Sequence, residues 1–219
     1  MAPPFSSDPS LAAFGSSLTA ITLAELGDKT FFMALILAVR HRARWVFIGS
    51  FAALTAVTLI SLALGYGLRE LLPQSLVPWL AALLFLSFGI KLLIDAQGMA
   101  ANAATEEKEE AEQAINTAES SKAFNTAWAV IWEAFVLVFI AELGDRTQFT
   151  TIFMATAPAQ VFSFGGLLAG TLLGHALVTW LAVGAGKWIG QWVNERLLYL
   201  LSGGLFLVFG LAALSQALS

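Results

Sequence analysis

Two short stretches, Glu25-Leu-Gly-Asp-Lys-Thr30 and Glu142-Leu-Gly-Asp-Arg-Thr147, repeat one charged pattern in the two halves of the chain. Each stretch stands inside a long apolar run, at about Leu18–Val39 and Thr126–Ala157. Charged residues are rare within membrane-spanning segments and usually serve a function there. A charged motif that occurs twice in such runs indicates a duplicated intramembrane site, and it decides how the rest of the chain is interpreted.

The composition of the 219 residues is that of a membrane protein. Apolar residues make up 58% and charged residues 12%, whereas a soluble domain is nearer half apolar and a quarter charged. The chain has no cysteine, which excludes disulfide scaffolds and thiolate metal sites. We predict an all-α membrane protein with six transmembrane helices, because six apolar runs are long enough to cross a bilayer: Leu18–Val39, Trp45–Leu68, Leu76–Ile94, Thr126–Ala157, Val161–Gly186 and Leu197–Leu218.

The remaining helices of the two halves repeat as well. Val46-Phe47 matches Val161-Phe162, and Leu84-Phe-Leu-Ser-Phe-Gly89 matches Leu205-Phe-Leu-Val-Phe-Gly210. Because three helices per half force the second half to enter from the opposite side, we predict an inverted-topology repeat with its site where the halves meet. The predicted divisions are an N-terminal tail (1–17), a first three-helix repeat (18–96), an acidic loop (97–125) and a second three-helix repeat (126–219).

Basic residues outside the motifs predict the orientation. Arg69 falls on one side of the membrane, and eight residues fall on the other: Arg40, Arg42, Arg44, Lys91, Lys108, Lys122, Lys187 and Arg196. The crowded side is cytoplasmic by the positive-inside rule, so both termini are predicted to be non-cytoplasmic. The glutamate-rich loop at 97–125 then lies in the cytosol. It is interpreted as a solvated, partly helical linker, or as a segment that collects cations or regulates transport.

The acids of each motif are predicted to share one helix face near the middle of the membrane. Glu25 lies about 10 Å into its span, and Glu142 lies at comparable depth. Within each copy Glu and Asp are three residues apart, which places them on one face of a continuous helix. The intervening Gly27 and Gly144 are predicted to allow a close helix crossing, and also to loosen the helix so that a carbonyl becomes free.

The charges of the two motifs do not balance. Each ionised group standing alone at the bilayer centre would cost about 3 kcal/mol, and there are six: Glu25, Asp28, Lys29, Glu142, Asp145 and Arg146. A purely structural salt-bridge cluster fails, because four acids and two bases leave a charge of −2. One divalent cation or two protons would neutralise this charge. We therefore hypothesise a site that exchanges one divalent cation for two protons. Lys29 and Arg146 are the predicted charge partners, pairing with acids of the opposite half or fixing carboxylate geometry.

The residue types narrow the ion to a divalent cation that prefers oxygen ligands, namely Mg²⁺, Ca²⁺ or Mn²⁺. The predicted metal ligands are Glu25, Asp28, Glu142 and Asp145. Additional candidates as ligands or proton relay are Thr30, Thr147, Gln148 and His175. For His175 a packed or hydrogen-bonded residue is the alternative, and a role as ligand would favour Mn²⁺ over Ca²⁺. Glu133 is interpreted as a solvated interfacial residue, with a role in admitting ions as the alternative.

The duplicated E-x-G-D-[KR]-[TS] motif, one copy per half with an acidic loop between, resembles the Golgi-type Ca²⁺/Mn²⁺:H⁺ antiporter family. That family has Golgi, chloroplast and cyanobacterial manganese-exporting members. The resemblance extends from about Leu18 to Leu218, and both copies fit without departure. It implies a secondary transporter that exports Mn²⁺, with Ca²⁺ as a second candidate, in exchange for protons, with the four acids as ligands. By analogy it implies a prokaryotic plasma membrane or thylakoid membrane.

Other function classes fit the sequence less well. An exporter of a small organic cation, such as a basic amino acid, is the alternative, although four carboxylates favour a bare ion. An enzyme is not supported, because the chain lacks Gly-x-Ser-x-Gly and His-Glu-x-x-His motifs, and a channel suits a buried charged site less well than alternating access. The expected partners are the transported cation, protons and lipid, without nucleic acid or cofactor. A monomer and a homodimer are both compatible with the sequence.

Overall fold

Helices form all the regular structure that the computed structural model shows over its described residues, 8–98, 103–119, 126–157, 162–185 and 195–218. The all-α prediction is confirmed for this part of the chain. In chain order the helices are α1 (Pro9–Glu25), α2 (Lys29–Arg40), α3 (Ala43–Leu71), α4 (Val77–Gly98), α5 (Ala103–Glu119), α6 (Ala127–Glu142), α7 (Arg146–Thr156), α8 (Phe164–Ala185) and α9 (Glu195–Leu218).

The lengths and apolar character of these helices support several membrane crossings. Within the described residues, α3, α4, α8 and α9 are each long and apolar enough to span a bilayer. α6 and α7 meet that test only as a pair, bent by 68° at the break between them. By length and composition, the described part of the chain therefore has four candidate membrane crossings, or five if the bent pair counts as one, which fits a multi-pass membrane protein. Lys122 and Lys187, which helped to predict the orientation, lie outside the described residues.

The two apolar runs that carry the motif are broken, although continuous helices were predicted. α1 ends at Glu25 and α6 ends at the equivalent Glu142. Gly27 and Gly144 follow with φ of +77° and +87°, in the left-handed region that only glycine adopts at little cost. In each copy the amide of the motif aspartate donates to the carbonyl of the motif glutamate at 3.2 Å. The chain therefore turns between Glu and Asp, and the shared helix face predicted for these residues is wrong.

At Gly144 the predicted close helix crossing is not found. A Cβ atom placed on Gly144 would have no neighbour within 4 Å among the described residues, so none of the described helices approaches closely at this point. The positive φ of Gly144, and likewise of Gly27, accounts for glycine at these positions.

The first helix begins earlier than the predicted tail of residues 1–17 allows. Asp8 caps α1 by accepting a hydrogen bond from the Ser10 amide at 2.8 Å, and Pro9 occupies the first turn, where proline is favoured. Ala13 and Ser17 are fully buried. Residues from Pro9 onward therefore belong to the packed bundle.

The second helix of each half packs along the broken helix of the other half. α8 lies along α1, where Gly166 faces Ala13. α3 lies along α6 and α7, where Gly49 faces Ala134. In both places the missing side chain lets the two backbones approach closely, as is common for membrane helices.

α4 and α9 form the third exchanged pair through the repeated Leu-Phe-Leu-x-Phe-Gly segments. Leu86 of α4 packs on Gly210 of α9, and Leu207 of α9 packs on Gly89 of α4. The contact is reciprocal, because the leucine of each repeated segment packs on the glycine of the other.

The predicted acidic loop contains α5, which docks on the bundle. Ala111 and Ile115 are fully buried in a cluster with residues of α2, α6 and α8. On another face Glu112 is exposed, and Asn116 accepts a hydrogen bond from Arg40 of α2 at 2.8 Å. The segment is helical in part, as predicted, but one face is packed rather than solvated.

Candidate cation site

Three of the four predicted acids converge where α1 and α6 end. Glu25, Glu142 and Asp145 each place a carboxylate oxygen within 4.8 Å of the other two. Glu25 and Glu142 are only 2% and 1% exposed. Because both helices stop at their glutamates and turn at their glycines, carboxylates from two helix ends meet in the interior. We refer to these three residues as the acid cluster.

The motif threonines orient the glutamates in the same way in both halves. The hydroxyl of Thr30 donates to Glu25 Oε2 at 3.1 Å, and that of Thr147 donates to Glu142 Oε2 at 3.1 Å. The Thr147 amide also donates to Asp145 Oδ2 at 3.3 Å. Each threonine oxygen keeps acceptor capacity of its own, so both stand beside the acid cluster as potential oxygen ligands.

Asp28, the fourth predicted ligand, lies outside the acid cluster and pairs with Arg146 of the opposite half. The guanidinium Nη2 donates to Asp28 Oδ1 at 2.7 Å, and Nε lies 3.9 Å from Asp145 Oδ1. The same guanidinium lies over the ring of Tyr199, 5.8 Å from its centre. Arg146 therefore connects acids contributed by both halves.

Lys29 does not pair with an acid of the opposite half, contrary to one expectation. Its Nζ donates to Glu110 of α5 at 2.9 Å, and the two side chains are 34% and 61% exposed. This contact changes the charge count of the site. With Lys29 balanced by Glu110, the four motif acids and Arg146 sum to −3 instead of −2 if all are ionised, and Lys29 and Lys91 both line the cavity that reaches these acids.

Gln148 closes the turn of the second motif. The Gly144 amide donates to Gln148 Oε1 at 2.7 Å, so the oxygen predicted as an extra ligand is engaged by the backbone. The equivalent position of the first half is Phe31, which has no acceptor to offer.

His175 lies on α8 beside one member of the acid cluster. Its Nδ1 is 3.6 Å from Glu25 Oε1, and its side chain is 5% exposed. This separation is too long for a hydrogen bond. The structure therefore brings His175 to Glu25 without making it part of the acid cluster.

Glu133 is buried, although a solvated position was expected. Glu133 of α6 is 5% exposed. Its Oε2 lies 3.6 Å from Nε2 of His41, which stands in the link between α2 and α3. Its carboxylate is therefore enclosed by the bundle.

A cavity of about 360 Å³ reaches the site, lined among others by Asp28, Asp145, Arg146, Lys91 and Asp95. The last two residues come from the final turns of α4, and the sequence interpretation did not assign Asp95 to the site. The available signal was the spacing of Lys91 and Asp95, four positions apart on one face of an otherwise apolar helix.

Known proteins resemble this chain over most of its length. Residues 13–100 and 130–219 match the family described as divalent cation/proton antiporter GDT1. The chain is 40% identical over 204 residues to the GDT1-like protein sll0615 of Synechocystis sp., covering 93% of this chain and 97% of that protein. It is 36% identical to the chloroplastic GDT1-like protein 1 of Oryza sativa subsp. japonica and 38% identical to the chloroplastic protein PAM71 of Arabidopsis thaliana. The chain spans 62% and 57% of the lengths of these two plant proteins. No solved structure matches the chain.

Proposed function

Because the chain belongs to the GDT1 family of divalent cation/proton antiporters, we propose that it exports Mn²⁺, and Ca²⁺ as a second substrate, from the cytosol in exchange for protons. The observation that carries this proposal is the acid cluster, in which Glu25, Glu142 and Asp145 converge within 4.8 Å. Members of an antiporter family are transporters rather than enzymes.

The proposed ligands are the four motif acids. Carboxylate oxygens are the ligands that hard divalent cations prefer, and the acid cluster supplies three of them at one point. Asp28 would join when the cation takes over the role of Arg146 as its positive partner. Protons neutralise the same carboxylates when the cation leaves, and this competition for one site couples the two fluxes.

The proposed architecture is two inverted three-helix repeats with six crossings. In this view α1 and α2 form one broken crossing, as α6 and α7 do. Support comes from the equal breaks at Gly27 and Gly144 and from the reciprocal packing of α4 and α9. Broken helices with a substrate site at the break are the common plan of secondary transporters.

The proposed orientation places the 360 Å³ cavity toward the cytosol. Arg40, Arg42 and Arg44 surround the junction of α2 and α3, which the positive-inside rule assigns to the cytoplasm. Asp95, close in sequence to the acidic α5, lines the cavity. Cations would thus pass an acidic entrance before they meet Asp145. Both termini are then non-cytoplasmic, and the membrane is a prokaryotic plasma membrane or thylakoid membrane.

Purified protein in liposomes with an imposed pH gradient tests the proposal. The wild type is expected to show gradient-dependent Mn²⁺ and Ca²⁺ flux. Glu25→Gln and Asp145→Asn are each expected to lower it about 10- to 100-fold, because each removes a charged interaction worth about 1.5–3 kcal/mol. Glu112→Gln, the same chemical change on the exposed side of α5, is the matched control and should stay within about twofold.

The proposal fails if no gradient-dependent divalent flux occurs, or if both acid variants transport as well as the wild type. Gradient-driven flux of arginine in place of divalent cations would instead favour the organic-cation alternative. Reversal potentials measured in the same vesicles give the number of protons exchanged per cation, for which two is the expectation.

A further inference from the structure

A second, smaller cavity lies beside Glu25. It has a volume of about 10 Å³, enough for one water-sized particle. Residues of α2, α3, α6 and α8 surround it. Most of its lining is apolar, and its polar members are Glu25, Thr30, Ser50, His175 and Thr179. All five are buried, and Thr30 lines both this cavity and the larger one at Asp28.

Three polar atoms of the residues that line this cavity lack hydrogen-bond partners among the described residues. They are Glu25 Oε1, Ser50 Oγ and His175 Nδ1. A buried polar atom without a partner is costly, and native structures rarely leave several such atoms together. Three of them around one small cavity indicate that the cavity is built to hold a ligand with several polar contacts.

The distance between two of these atoms fits a metal ion. Glu25 Oε1 and His175 Nδ1 are 3.6 Å apart, too far for a hydrogen bond to each other. Two ligand atoms at about 2.1–2.3 Å from one shared cation would have this separation. The Ser50 hydroxyl oxygen of α3 lines the same cavity and is the third candidate donor atom.

We propose that Glu25, Ser50 and His175 form a second cation site, selective for a first-row transition ion such as Mn²⁺. The proposal rests on the proposed function and deepens it, because Glu25 belongs both to this site and to the acid cluster. A cation held by the cluster would pass to the second site by exchanging oxygen ligands for the imidazole nitrogen. Ca²⁺ takes oxygen ligands, whereas first-row transition ions also accept imidazole, so His175 discriminates between the two substrates.

The second site belongs to one half only. The chain has two histidines, and the other one, His41, lies beside Glu133 rather than beside Glu142. Glu25 and Glu142 therefore occupy equivalent positions in the motif, but only Glu25 would share a cation with a histidine.

Pulsed electron paramagnetic resonance of Mn²⁺ bound to the purified protein in a nitrogen-free buffer tests this site directly. The wild type is expected to show coupling between Mn²⁺ and a directly bound imidazole nitrogen. His175→Gln and His175→Asn are expected to remove that coupling, and His41→Gln, the matched histidine control, is expected to retain it. In liposomes His175→Gln is expected to lower the ratio of Mn²⁺ flux to Ca²⁺ flux about tenfold.

Each alternative result overturns the site. Mn²⁺ bound without nitrogen coupling in the wild type would show that His175 does not bind the cation, while leaving the acid cluster and the proposed function intact. Coupling that persists in both His175 variants, or an unchanged flux ratio, would also refute it. Loss of gradient-driven divalent flux in the wild type, by contrast, is the failure of the proposed function itself.

Discussion

The two copies of the motif share their backbone and differ in the contacts of their charges. Each copy ends one helix at a glutamate, turns at a glycine with positive φ, and begins the next helix after an aspartate. The second copy gives both acids, Glu142 and Asp145, to the acid cluster, whereas the first gives only Glu25. Asp28 instead binds Arg146. The repeated sequence thus determines the turn, and the surroundings of each copy determine what its side chains do.

The basic residues show the same divergence. Arg146 binds Asp28 of the other half, whereas the equivalent Lys29, which lines the same cavity, binds Glu110 of α5. Only the second half carries Gln148 to close its turn, and Glu25 has a histidine neighbour. A role inferred for one copy therefore cannot be transferred to the other by position alone.

The largest difference between the two copies is expected when the basic residue of each motif is substituted and transport is measured. Arg146→Gln should lower transport about 10- to 100-fold, since it removes a 2.7 Å charged hydrogen bond to the largely buried Asp28. Lys29→Gln removes a pair that is substantially exposed on both sides, so its effect should stay below about fivefold. Divalent flux in liposomes, normalised to the amount of folded protein, measures both. Equal losses in the two variants would show that Lys29 acts within the site and that the comparison is wrong.

The all-α membrane class could be predicted from the sequence, and the break in the helix could not. Apolar runs reveal spans because burial in lipid requires apolar side chains over about 20 residues. The pattern around Gly27 and Gly144 is equally compatible with a helix that passes through glycine at a small cost. Only tertiary packing decides that the chain turns there, which is why the shared face predicted for Glu and Asp was wrong.

The sequence could predict which acids belong to the candidate site, but not which acid each basic residue contacts. Charge counting identified the four acids, because ionised groups in a membrane need compensation. It could not assign Lys29 to Glu110, since that contact depends on how α5 docks through Ala111 and Ile115. Ser50 gave no signal at all, as a single serine in an apolar helix commonly bonds to its own backbone.

A smaller effect is expected at the turn glycines. Gly144→Ala should destabilise the protein by about 1–2 kcal/mol, because an L-residue is strained at φ of +87°. Gly204→Ala is the matched control. In the part of the chain that the structure describes, a Cβ would meet no neighbour at either position, but Gly204 lies within α9, where alanine should stabilise by about 0.5–1 kcal/mol. Thermal unfolding in detergent measures both variants. Equal shifts would contradict the role of positive φ at the break.

The smallest effect should appear in one turn and not in the other. Gln148→Leu removes the side-chain acceptor of the Gly144 amide, a hydrogen bond worth about 1 kcal/mol. Hydrogen exchange of a peptide that covers this turn should become about fivefold faster, because its amide then opens more easily. The peptide that covers Gly27 provides an internal control, since its half carries Phe31 at the equivalent position. Faster exchange at both turns would mean that the two breaks open as one unit. The two copies would then differ in their side chains and not in the local stability of their backbones.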